Sequence, residues 1–155
     1  MELKLIRASL TDAKLIWSMQ IKAFAHLLSE YQDYDTNPGN ESIEKVIGRL
    51  EQVSTYYYLI QMDGEYAGAV RVVDRKDSAT RKRISPLFVL PQYWNKGIAQ
   101  WAMREVERIH GGERWELDTI LQERGNCHLY EKMGYQATGK IKAINERMSL
   151  IFYEK

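Results

Sequence analysis

The sequence predicts an α+β protein, a mixed α/β layer around one largely antiparallel sheet. Three observations predict it. Short β-prone runs with period-two alternation cluster in the first half and are joined by hairpin signals, as in Thr55-Tyr56-Tyr57-Tyr58-Leu59-Ile60 followed by Asp63-Gly64. Apolar residues at helical spacing fill the segments between other strands, as in Ile98, Trp101, Ala102, Val106 and Ile109. The chain of 155 residues, 45% apolar and 28% charged, has the size and balance of a single domain with a real core, so residues 1–155 are read as one domain.

In order, Leu3 and Leu5 alternate up to Arg7-Ala8 as a first strand. Thr11 and Asp12 offer a helix cap, and Leu15, Ile16, Met19, Ala23 and Leu27 predict a helix to about Leu28. Glu30 to Asn40 is a polar, aromatic-rich loop. A second helix is expected from Glu41 or Ser42, with Ile43, Val46, Ile47 and Leu50 on one face. Tyr66 to Val73 is the hairpin partner of the tyrosine strand, and after a turn over Asp74 to Thr80 the third strand of the meander runs through Arg81 to Leu90. Pro91 cannot donate to a ladder and should end it. The central helix starts at Ile98 and stops at Gly111-Gly112. Trp115 to Ile120 alternates as a strand, Gln122 to Gly125 reads as a loop, and Asn126 to Met133 as a short helix closed by Gly134. Tyr135 to Ile141 and Met148 to Tyr153 complete the order β-α-α-β-β-β-α-β-α-β-β.

Composition narrows the function classes. A net charge of +1 gives no general attraction to nucleic acid or to an anionic membrane. No apolar run is long enough to span a bilayer, and the first seven residues lack the apolar core of a secretory leader. One cysteine, Cys127, allows no internal disulfide and no cysteine-built zinc site. No His/Asp/Glu cluster has metal-ligand spacing, so no metal is expected. The expected location is cytoplasmic.

The chemistry is carried by two segments. The first is the strand-loop-helix passage from Phe88, Val89 and Leu90 through Trp94, Asn95, Lys96, Gly97, Ile98, Ala99 and Gln100. A tight loop opening a helix aims unpaired N–H groups at one point and suits phosphate oxygens. It has neither the Walker spacing nor a dinucleotide fingerprint. The second is Asn126-Cys127-His128-Leu129-Tyr130-Glu131-Lys132-Met133-Gly134-Tyr135.

Together these segments resemble the GNAT superfamily of acyl-CoA N-acyltransferases. Gly97 and Ala99 fit its Gln/Arg-x-x-Gly-x-Gly/Ala loop, with Trp94 where Gln or Arg is usual. Leu129 to Tyr135 is similar to its Tyr-Glu-Lys-x-Gly-Phe region, with Tyr135 in place of Phe. The element order is similar over the full chain. The resemblance implies a GNAT-like fold whose fourth and fifth strands splay apart, with acetyl-CoA as cosubstrate: pantetheine along Phe88 to Leu90, phosphates on the amides of Trp94 to Gln100, and Asn126 on the pantetheine arm or a water. It implies Tyr130 as the acid that protonates the departing thiolate, and it makes a homodimer an expectation.

The base is open. The fourth strand, Arg81 to Leu90, has no carboxylate, and Arg83 lies near the expected place. Glu116 and Asp118 share one strand face, and Tyr31, Asp33 and Asp35 sit in or beside the loop over the acceptor side. Any of them can instead be a solvated or paired group, and water can carry the proton. His26 is expected to be packed in its helix rather than catalytic, and the basic residues Arg75, Lys76, Arg81, Lys82 and Arg83 read as a solvated face or as a contact for a ribose phosphate. The leading expectation is an N-acetyltransferase acting on a small cationic amine by direct transfer. A protein lysine or N-terminal acetyltransferase, a non-catalytic acyl-CoA sensor and a protein-interaction domain are its alternatives.

Overall fold

The computed structural model describes residues 1–155. The strands are β1 (Leu3–Arg7), β2 (Thr55–Met62), β3 (Glu65–Val73), β4 (Lys82–Val89), β5 (Trp115–Ile120), β6 (Gln136–Ala143) and β7 (Ser149–Glu154). The helices are α1 (Ala13–Tyr31), α2 (Ile43–Glu51), α3 (Ile98–His110) and α4 (Arg124–Lys132). The order is the one the sequence predicts. Seven strands form one sheet in the order β1-β2-β3-β4-β5-β7-β6, antiparallel at every pairing except β4 with β5.

Period-two alternation splits the sheet's side chains between two apolar layers. Tyr57 and Leu59 of β2, Ala69 of β3 and Phe88 of β4 pack with Ile16, Met19 and Ala23 of α1 and Val46 of α2. Tyr58 of β2 and Val70 and Val72 of β3 turn to the other face, where Met103 and Val106 of α3 and Trp115, Leu117 and Tyr153 join them. The sheet is therefore clamped between α1 and α2 on one side and α3 and α4 on the other. The two layers fix where the ends of α1, α3 and α4 converge, which is the gap between β4 and β5.

Several details differ from the sequence reading, three of which shape the site. Helix α1 continues to Tyr31 and ends on Gln32 in the left-handed region (φ 54°). Helix α4 begins at Arg124, because Gly125 is taken into the first turn instead of closing the loop, so Asn126 stands inside the helix and is not its cap. Strand β4 carries a bulge: Val70 faces Leu87 and Val72 faces Ile84, so Ser85 and Pro86 together oppose one residue of β3. The displaced Ser85 carbonyl accepts from Arg71 Nη1 at 2.7 Å, and burial lowers the Arg71 pKa to about 10.

Candidate active site

Strands β4 and β5 run parallel but pair only at their starts, Lys82 with Trp115 and Arg83 with Glu116. Past Arg83 they part. The bulge swings β4 away, and Pro86 has no N–H to offer a neighbour. Strand β5 is meanwhile held on its other edge by β7 along its length from Glu116 to Ile120. A slot results, open from the Arg83 level onward.

Two adjoining cavities lie along this slot. The first, about 350 Å³, lies between the parted strands and is walled by Arg83, Ser85, Pro86 and Leu87 of β4 and by Leu117 to Ile120 of β5. Leu27, Asp33, Thr36, Asn37, Asn126, Tyr130, Met148 and Leu150 also line it. The second, about 510 Å³, runs along Leu87, Phe88 and Val89 to Trp94, Asn95 and Gly97 to Gln100. Phe24, Leu27, Leu87 and Asn126 border both, so the two cavities adjoin between the split and the start of α3.

The wall at α3 is built of main chain. Asn95 and Gly97 both take positive φ, 61° and 73°, and turn the backbone into the helix. The amides of residues 95–100 find no acceptor within the chain. At the sheet edge, Leu90 N donates to Ala67 O and Ala69 faces Phe88, so Val89 between them turns its polar groups to the slot. The Val89 carbonyl takes the Trp94 indole N–H at 2.7 Å, and the His26 ring stands edge-on to that indole at 4.8 Å.

The fold, with its parted parallel strands, is that of a known family. The sequence profile of the Acetyltransferase (GNAT) family matches residues 21–135. The chain belongs to the GNAT acetyltransferase family. Among solved structures, PaiA N-acetyltransferase from Thermoplasma acidophilum in complex with coenzyme A superposes with a TM-score of 0.75 at 16% identity, covering 100% of each chain. Spermidine N-acetyltransferase from Vibrio cholerae, in complex with CoA and spermine, gives 0.76 at 15% identity over 97% of this chain and 93% of that one. The ribosomal-protein-S18-alanine N-acetyltransferase from Escherichia coli gives 0.75 at 12% identity over 98% and 92%. Among curated protein sequences none matches.

In this GNAT chain Tyr130 borders the first cavity, and its hydroxyl has no hydrogen-bond partner in the protein. Burial, with smaller contributions from Asp118 and Cys127, pushes its pKa up to about 12, so the phenol stays protonated at neutral pH and has a proton to donate. Asn126 stands where the two cavities meet. Phe88, Val89, Trp94, Asn95, Gly97, Ile98, Ala99 and Gln100 all line the second cavity.

Other residues lie elsewhere. Leu90 is buried in the layer under α1, because the strand has passed its last slot-facing residue at Val89. The Lys96 side chain is exposed and lines neither cavity, although its amide is one of the free ones. Tyr31 is a strut: its hydroxyl donates to Glu123 Oε2 at 2.6 Å and its carbonyl accepts from Asn145 Nδ2 at 2.9 Å. Asp35 is exposed and away from the cavities. Asp33 reaches the first cavity but spends its oxygens on its own loop, accepting from the amides of Asp35 (3.3 Å) and Thr36 (3.0 Å) and from the Thr36 hydroxyl.

Glu116 and Asp118 do share a face, where both meet Arg83. Arg83 Nη2 is paired with Asp118 Oδ2, and Nη1 stands 3.9 Å from Glu116, which lines neither cavity. Neither carboxylate is a free base. His26 is exposed and borders the second cavity, contrary to the packed role expected of it. Of the basic residues, Arg81 and Lys82 tie down chain ends and loops through the Lys155 and Glu113 carbonyls, and only Arg83 faces the first cavity. Sequence reasoning missed the contribution of Pro86, Met148 and Leu150 to the wall; a proline inside an apolar strand was the one available sign of a bulge. No group of three His, Cys, Asp or Glu could hold a metal ion.

Proposed function

We propose that this GNAT chain is an acetyl-CoA-dependent N-acetyltransferase that moves the acetyl group to an amine by direct attack in a ternary complex. One observation carries the reading: the cavity between β4 and β5 adjoins a second that runs to the free amides of residues 95–100, with Phe24, Leu27, Leu87 and Asn126 bordering both. A thioester carrier laid there puts its diphosphate on those amides, its pantetheine beside Val89 and Asn126, and its acyl carbon in the first cavity. Solved relatives hold CoA, and one holds CoA and spermine, which supports the same use of the space here.

In this reading the neutral amine attacks the thioester carbonyl, the N–C bond forms, and the C–S bond breaks. The oxyanion is met by a main-chain amide on the slot edge of β4. The Tyr130 hydroxyl donates its proton to the departing sulfur and regains one from water. The amine's proton passes to water, since Asp118 is paired with Arg83 and β4 carries no acid. Release of CoA thiol, followed with a panel of amines and N-terminal peptides, tests this. Turnover with at least one acceptor supports it. Binding of acetyl-CoA with no turnover across the panel would reassign the chain to acyl-CoA sensing.

A further inference from the structure

We infer that the acceptor is a small monoamine with an apolar body, whose reacting nitrogen donates a hydrogen bond to the Asp118 carboxylate, and not a polyamine. The inference rests on the acyltransferase reading and deepens it. The first cavity holds one cation already, the Arg83 guanidinium, fixed across the split by Asp118 and with Glu116 at 3.9 Å. Asp118 commits Oδ2 to Arg83, and no group of the chain donates to its Oδ1. That oxygen is the open anionic acceptor of the cavity.

The other acid in the wall has no such capacity. Asp33 is 4% exposed and receives three donors from its own loop. Beyond Asp118 the cavity turns apolar, through Leu27, Pro86, Leu117, Ile120, Met148 and Leu150. A second ammonium along the acceptor would lie against this surface or beside Arg83, and the one other carboxylate in the wall, Asp33, is turned into its own loop, so little offsets the desolvation. An apolar body loses nothing there and gains from burial. Asp118 thus serves as a binding and specificity residue, and Arg83 as the group that positions it.

The test compares phenethylamine with spermidine as acceptors at saturating acetyl-CoA, in the wild type and in Asp118→Asn and Glu116→Gln, with acetyl-CoA binding measured separately by calorimetry. The expected wild-type preference in kcat/KM for phenethylamine is about tenfold or more, the size of one lost charge-assisted contact. With phenethylamine as acceptor, Asp118→Asn should raise KM by about tenfold with kcat changed less than about threefold, and leave acetyl-CoA affinity intact. Glu116→Gln, outside the cavity, should leave both constants within about twofold. Spermidine used as well as or better than the monoamine overturns the inference, and that comparison needs no variant to fold. Acetyl-CoA binding with neither amine turned over also overturns it while leaving the cofactor site standing; absence of acetyl-CoA binding removes both readings.

Discussion

Two aromatic residues decide how the slot behaves. Tyr130 has a hydroxyl free of partners at the wall of the first cavity and a pKa raised by burial to about 12. Its replacement by phenylalanine keeps the packing and removes only the donor. Tyr130→Phe should lower kcat by about a hundredfold, the low end of general acid catalysis, with acetyl-CoA affinity unchanged; steady-state rates and calorimetry on the same preparations check it. Trp94 acts in the opposite sense. Its indole occupies the Val89 carbonyl, the outward acceptor at the end of β4, while remaining 41% exposed. A carrier amide that needs this carbonyl must displace the indole first. Trp94→Phe should therefore tighten acetyl-CoA binding about threefold to tenfold, the worth of one net hydrogen bond. Unchanged or weaker binding would show that the indole makes contacts with the cofactor that outweigh the bond it gives up. The residue types of both positions were legible in the sequence. The direction of each side chain was not, because it follows from bulges and helix starts that periodicity does not report.

At the scale of elements, the slot edge depends on close backbone approach between β3 and β4. A Cβ on Gly68 would stand inside contact distance of the Phe88 carbonyl, a backbone atom that cannot turn aside. Gly68→Ala should lower stability by about 1–3 kcal/mol, the usual range for overpacking, and weaken acetyl-CoA binding through Val89; urea unfolding and calorimetry measure the two effects. Gly64, on the hairpin tip with φ 85°, has open space around it and no such consequence for the slot. Element order and the bounds of β5 were readable because alternation and turn residues agree there. The start of α4 was not, since Gly125 reads as a loop residue until Glu123 and Tyr31, far apart in sequence, are seen to hold that corner together. The same distance hid the fate of Asp33 and Asp118. A carboxylate in a loop or on a strand looks available in sequence, and only the fold supplies the Thr36 hydroxyl and the Arg83 guanidinium that occupy it.

At the scale of the whole molecule, the far end of the sheet is tied by a buried relay. His110, the last residue of α3, meets Asp74 Oδ2 with Nδ1 and the Tyr58 hydroxyl with Nε2, both at 2.8 Å. An ionised Asp74 can only accept, so Nδ1 carries the proton and Nε2 accepts from Tyr58. Burial lowers the His110 pKa against the opposing pull of Asp74, with Lys76 and Lys82 adding to the lowering. A depressed histidine gives full stability above its unfolded value near 6.5 and loses it as pH falls from there through the folded value. The Asp74 pKa is also lowered, and its contribution is lost only in the more acid range below the ordinary aspartate value. Urea midpoints should fall between pH 7.5 and 5.5, and the fall should shrink in His110→Gln; an equal slope in both proteins would place the titration elsewhere. This relay holds α3 by its C-terminus, beside Trp115 at the closed end of β4 and β5, and the free amides lie at the opposite end of the helix.

Hydrogen–deuterium exchange with and without acetyl-CoA reads the slot itself. Protection on binding is expected at residues 95–100 and at Leu87 and Val89 on the open edge of β4, with β1 and β6 unchanged. Protection absent from those amides, or confined to another face of the sheet while the ligand is bound, would contradict the placement of the thioester carrier between β4 and β5.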